Sequence, residues 1–217
     1  MTFDTIPEPA GTTRVLPPDT MRRQEVDHRV ANSLQLISSL LSLQARQAAD
    51  VSVRDALRIA AHRIDAVGAI HKALHQPGSL ASIDIATYLF DLAETIGQGF
   101  GGAGSTRILA NVQSGMVSPD FASALGIMVT ELVINACKHA YAPGEEGDIE
   151  VRFSFASRSQ FRLEVRDFGG RYNQRAKTRP PGLGTTIIHA MCCKLDASFT
   201  YLANPAGTRF LAGGAVR

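Results

Sequence analysis

Three sets of residues in this chain carry side chains suited to phosphate chemistry. The first is Asp27, His28, Arg29 and Asn32, inside the amphipathic run EVDHRVANSLQLISSLLSLQAR at residues 25–46. On the heptad of such a helix Val26 and Val30 lie on the apolar seam, so His28 is expected to point outward and to share its exposed face with Asn32. A neutral imidazole is a good nucleophile toward phosphorus. A neighbouring carboxylate such as Asp27 holds its tautomer or accepts its proton. Taken alone, a histidine on a helix surface is more often inert.

The second set lies in TELVINACKHAY, residues 130–141. Glu131, Asn135 and His139 recur every fourth residue with Lys138 beside them, forming one polar stripe along an otherwise apolar helix. Between Phe121 and Cys137 the sole formally charged residue is Glu131, which is too sparse for a solvated face and fits the lining of an enclosed site. The set suits a metal-bound polyphosphate. An amide oxygen and a carboxylate serve magnesium and its waters, and a lysine and a histidine serve the phosphates.

The third set joins VRDFGG at 165–170 to PGLGTT at 181–186. Phe161, Leu163, Val165 and Asp167 share strand parity, so Asp167 continues a buried row and must find hydrogen-bond donors there. An adenine amino group is one natural partner, with Gly169 letting the ring approach the backbone. Gly182 and Gly184 free backbone N–H groups at a helix start, where anions are favoured, although G-x-G by itself is weak evidence.

These sets need elements to hold them. A chain of 217 residues, 45% apolar, supports one or two ordinary cores. The formal net charge of +2 and the lack of basic runs argue against nucleic-acid binding. Three cysteines without metal or disulfide spacing fit a reducing, cytoplasmic setting. No signal peptide and no bilayer-spanning run is recognised, so any stimulus is expected to arrive through a separate sensor protein.

Residues 1–20, with four prolines, read as a flexible tail. Residues 21–78 read as a helical hairpin. Its first helix carries Val26, Val30, Ser33, Ile37, Leu40 and Gln44 in steps of four and three, widened by Leu34 and Leu41. The second repeats the steps at Leu57, Ala60, Ile64, Val67, His71 and Leu74, after a turn at 49–52 and before the stop signal Pro77-Gly78. One hairpin leaves the wide face of its first helix uncovered. A second copy would bury it, giving a homodimeric four-helix bundle.

Residues 79–217 read as an α+β sandwich of mixed, mostly antiparallel sheet with helices on one face. Helices are expected at 84–98, from Ser118-Pro119-Asp120 to about Tyr141, and from Leu183. Strands are expected at 107–112, in a hairpin about the turn ASRS, and at 198–203 and 207–212.

In combination these features are specific. DHRVANSLQLISSLLSLQAR resembles the dimerisation and phosphoacceptor segment of the histidine kinase subfamily built on an H-R-x-x-N core. ELVINACKHAY, DFG and GLG resemble successive boxes of the ATP-binding domain that histidine kinases share with gyrase, a heat-shock chaperone and a mismatch-repair ATPase. The resemblance covers residues 21–212 and implies autophosphorylation from ATP on His28, with Asp27, Arg29 and Asn32 around it, followed by transfer to a response-regulator aspartate. It makes Asn135 the magnesium ligand and has Glu131 orient the metal shell or reacting groups. Lys138 and His139 face the phosphates, Asp167 reads adenine, and Thr208 supports the base. Gly169, Gly182 and Gly184 shape the pocket and its lid, RYNQRAKTRPP at 171–181.

The chain departs from the family pattern at Phe168, where a polar residue is usual, and at Arg171, where the last glycine of the box is displaced to Gly170. These departures motivate a second reading, a dimeric histidine phosphotransferase in a phosphorelay whose ATP-binding domain survives only as a scaffold. A serine kinase of the anti-sigma type would share the pocket but has no need of the histidine hairpin.

Overall fold

The computed structural model describes residues 18–74, 82–100, 106–142, 144–170 and 182–216. For 18–28, 70, 73–74 and 99–100 it describes backbone alone. The expected tail, the stop at Pro77-Gly78 and the lid at 171–181 lie wholly or largely outside these residues.

Helix α1 (Pro18–Gln47) and helix α2 (Val51–Leu74) form an antiparallel hairpin. Helix α1 starts three residues before the expected Met21, because proline is tolerated in a first turn whose N–H groups have no helical acceptor. The row that α1 turns toward α2 is Leu34, Ser38, Leu41 and Ala45, with Ser38 and Ala45 buried. Ser38 Oγ donates to the Ala61 carbonyl at 3.4 Å. The main expected stripe does not make this contact. Val30, Ile37 and Leu40 are 38%, 45% and 51% exposed in the single chain, joined by Leu36 and Leu43. The stripe is wider than one antiparallel neighbour can cover.

After α2 come strand β1 (Ile83–Asp84), helix α3 (Ile85–Phe100), strand β2 (Thr106–Val112) and strand β3 (Met116–Val117). Helix α4 (Pro119–His139), strands β4 (Gly147–Ser157) and β5 (Gln160–Asp167), helix α5 (Leu183–Lys194), and strands β6 (Ala197–Asn204) and β7 (Gly207–Ala215) complete the chain. The main sheet has the order β2-β4-β5-β7-β6, and β1 pairs with β3 separately. The β2/β4 pair is parallel and the other three main-sheet pairs are antiparallel, as expected of a mixed, mostly antiparallel sheet. Arg158 and Ser159 turn the β4–β5 hairpin, placing Val151 opposite Val165 and Ile149 opposite Asp167.

Helices α3, α4 and α5 cover one face of the sheet over a core of Leu89, Leu125, Met128, Ile149, Leu163 and Phe210. Phe121 packs edge-on against Phe161 at 5.1 Å between ring centroids, and Phe153 stacks on Phe161 at 6.0 Å. Helix α4 begins as its sequence dictates. Ser118 accepts from the Phe121 N–H, Pro119 occupies the first turn, and Asp120 complements the helix dipole.

By length and composition α4 would span a bilayer, which corrects the expectation that no run approaches that length. Its apolar character instead reflects burial between sheet and helices, where Ala124, Leu125, Met128 and Val133 are fully enclosed. Helix α2 also departs from a purely two-sided hairpin. Its Ala66 joins the core cluster of the sandwich, so α2 packs on α1 with one face and on α3 and α4 with another.

Candidate active site

The polar stripe of α4 rises from the core toward the helix C-terminus. Glu131 is 2% exposed, Asn135 is half-buried, and Lys138 and His139 are exposed. A carboxylate at that depth requires a partner. Arg63 of α2 provides it: Nε donates to Glu131 Oε1 at 2.5 Å and Nη2 to Oε2 at 2.7 Å. Sequence reasoning missed Arg63. The available signal was the buried acid itself, which must recruit a cation, although nothing in the sequence says from which element.

The N-terminus of α5 closes over this pair. A Cβ on Gly184 would lie 2.7 Å from Glu131 Oε2, 3.4 Å from Arg63 Nη2 and 3.5 Å from Asn135 Oδ1. Glycine is thus required for the helix to approach the stripe. Gly182 is the N-cap and, as a glycine, offers no side-chain acceptor to the first-turn N–H groups of α5. Burial, and next the Arg63 charge, lower the pKa of the Lys138 ammonium.

The second half of the site is the end of β5. Asp167 is 6% exposed, completing the buried row of Phe161, Leu163 and Val165 as its parity requires. Its Oδ1 accepts from the backbone N–H of Gly169 and of Thr208, each at 3.1 Å. Burial raises the Asp167 pKa, and the Thr208 and Gly169 donors oppose that rise. Gly207, at φ +122°, turns beneath this strand end, where a side chain would collide with the Asp167 carbonyl.

Tyr141 ties the two halves together, a role the sequence did not reveal. Its hydroxyl donates to the Asp148 carbonyl at 2.6 Å and accepts from the Phe168 N–H at 3.1 Å. Gly147 makes room for its ring.

Phe168, the departure from the family pattern, is turned away from this pocket. Alternation along the strand end puts its side chain on the side of Arg166, whose guanidinium carbon sits 4.3 Å from the ring centroid. Asp167 occupies the opposite side. The bulky ring therefore does not fill the space beside Asp167. For the displaced glycine, Gly170, the nearest atom to an added Cβ among the described residues is the Pro205 carbonyl oxygen at 3.5 Å.

The structure thus brings Glu131, Asn135 and Gly184 into one cluster and Asp167, Gly169 and Thr208 into another. The backbone of α1 runs helically through Asp27 and His28, whose side chains lie outside those described. Arg29 and Asn32 are exposed on α1 and belong to neither cluster.

Residues 25–100 match a family described as histidine kinase, and residues 104–209 match the histidine kinase-like ATPase domain. Blue-light-activated histidine kinase 2 of Erythrobacter litoralis is 27% identical over 190 residues, 85% of this chain and 54% of that protein. The sensor histidine kinase PdtaS of Mycobacterium tuberculosis is 33% identical over 147 residues, 65% of this chain and 28% of that protein. The chain thus spans about half or less of the length of these curated relatives. The histidine kinase domain of the E. litoralis EL346 blue-light-activated kinase superposes with a TM-score of 0.66 at 25% identity, covering 92% of this chain and 95% of that one. With the two family matches together spanning residues 25–100 and 104–209, the chain belongs to the histidine kinase family.

Proposed function

We propose that the chain autophosphorylates His28 from ATP and passes the phosphoryl group to a response-regulator aspartate. The single observation that carries the reading is the pair of clusters: Asn135 and Glu131 lie against Gly184, and Asp167 accepts from the Gly169 and Thr208 N–H groups. The residues fit the nucleotide. Asp167 is a buried acceptor that selects an amino-bearing base, and Gly169 lets the strand end that carries it close onto Ala140. The N-terminal turn of α5 and the Lys138 ammonium supply positive potential for phosphates.

Asn135 Oδ1 and the Glu131 carboxylate are hard oxygen donors of the kind magnesium prefers. Bound there, the ion would neutralise polyphosphate charge. The protein's own contribution is then positioning. The bare imidazole nitrogen of His28 forms the N–P bond as the bond from the γ-phosphorus to the ADP oxygen breaks. Asp27 holds the proton on the other ring nitrogen. Both Phe168 facing away from Asp167 and the retention of Gly169, Gly182 and Gly184 favour this reading over the scaffold-only relay.

Dimerisation is part of the proposal. The exposed row of Val30, Ile37, Leu40 and Leu43 on α1 is contiguous apolar surface that a second hairpin would cover. The decisive experiment is incubation with γ-labelled ATP and magnesium. An acid-labile, base-stable phosphoprotein is expected from the native chain and none from His28→Ala. No label on the native chain, with nucleotide binding shown by calorimetry, would refute autophosphorylation.

A further inference from the structure

The Glu131 carboxylate is fully spent on Arg63. Both oxygens are engaged in a bidentate pair, and the guanidinium comes within 3.4 Å of the same point above Gly184 that lies 3.5 Å from Asn135 Oδ1. A cation already stands where a second cation is needed. Arg63 belongs to the hairpin, whereas Glu131 and Asn135 belong to the ATPase-type unit, so the pair also fastens one unit to the other.

The register of the hairpin gives the contact a direction. Ser38 lies against Ala61, and Leu34 lies opposite Gly68. Arg63 is therefore level with Ile37 on α1, and His28 is roughly nine residues further along, about 13 Å at the ordinary helical rise. The arrangement docks the stripe of α4 well short of the level of the phosphoacceptor.

We infer that Arg63 is a positioning residue, a resident cation that holds Glu131 and parks the ATPase-type unit on the hairpin until magnesium-bound nucleotide displaces it. The displacing ligand rests on the kinase reading; the parking contact does not. The Arg63 guanidinium and a magnesium ion compete for the same two carboxylate oxygens and repel each other, so metal binding at Glu131 and the Arg63 pair each weaken the other by the same factor. Release frees the stripe to travel toward His28. The Arg63 charge thereby sets how much magnesium the site requires.

The test uses the full chain and two neutral variants, Arg63→Gln and Arg63→Met, with Arg63→Lys as the charge-keeping control. Binding of magnesium and the non-hydrolysable analogue AMP-PNP is followed by calorimetry across magnesium concentrations. The neutral variants should bind at about tenfold lower magnesium, within the usual range for coupled sites, and Arg63→Lys should fall between them and the native chain. A magnesium requirement that is unchanged or higher in the neutral variants overturns the inference.

A second readout needs no nucleotide. Spin labels at Gln47→Cys and Arg162→Cys, in chains with Cys137, Cys192 and Cys193 replaced by alanine and diluted with unlabelled chains, report the separation of the two units. The native distribution should be narrow and the Arg63→Gln distribution broad; equally narrow distributions overturn the inference. If no protein binds AMP-PNP, the kinase reading has failed and this comparison alone decides the parking contact. If the neutral variants do not fold, the native label distance decides: a shift with magnesium and AMP-PNP supports the inference, and an unchanged distance overturns it.

Discussion

Gly169 sits so close to Ala140 that a methyl group on its Cα would collide with the Ala140 carbonyl oxygen. The end of strand β5 and the end of helix α4 thus meet backbone to backbone, two residues from Asp167. Gly169→Ala should cost about 1–3 kcal/mol, the ordinary penalty of overpacking, and should abolish ATP binding by forcing the strand end away from α4. Chemical denaturation and calorimetric titration check the two effects separately.

Asp167 makes a pH prediction. Burial raises its folded-state pKa above the unfolded value, so between those values the folded chain binds more protons than the unfolded one. Its contribution to stability is therefore greatest at low pH and falls as pH rises through the folded pKa. Asp167→Asn removes this term while keeping an oxygen to accept from Gly169 and Thr208. The variant should gain stability relative to the native chain as pH rises from below the ordinary aspartate range, then level off. Exposed carboxylates with lowered pKa, such as Asp148, act in both proteins and cancel in the difference. Urea melts of the pair at several pH values measure it; a difference independent of pH would contradict the assignment.

Phe168 offers a test of the scaffold-only reading. Its ring packs on Arg166, away from Asp167. Phe168→Ser should lose about 0.5–1 kcal/mol of cation–π stabilisation. The affinity for ATP should stay within about twofold, since a ring outside the pocket contributes neither contact nor obstruction. A large gain in affinity would show that the ring had been blocking the nucleotide.

The exposed row on α1 predicts the oligomeric state. Ile37→Asp with Leu40→Asp places four carboxylates, two from each chain, in the proposed seam between hairpins. At about 1.5 kcal/mol each, their desolvation should weaken the dimer roughly ten-thousandfold. Light scattering after size exclusion should then report a monomer, while circular dichroism stays native, because both residues are exposed on α1 in the single chain.

Much of this was legible in the sequence because it is local. The cap at Ser118, the parity that buries Asp167 and the four-residue spacing of Glu131, Asn135 and His139 follow from the periods of helix and strand, which a sequence carries directly. The width of the α1 stripe likewise announced more apolar surface than one neighbour could cover. Which row of that stripe faces α2 was left open, since choosing among adjacent rows requires the crossing geometry of two helices.

Only the tertiary structure decided which distant groups meet. Arg63 reaches Glu131 across 68 positions of chain, Tyr141 links Phe168 to Asp148, and the side to which the Phe168 ring turns depends on Arg166 and on how β5 ends. Patterning fixes which face of an element is buried, but the partner that satisfies a buried charge is set by how elements pack. The sequence by itself therefore determined the elements, the order of the two units and the polar residues of the two clusters. The occupied state of Glu131, on which control of the site turns, came from helix packing alone.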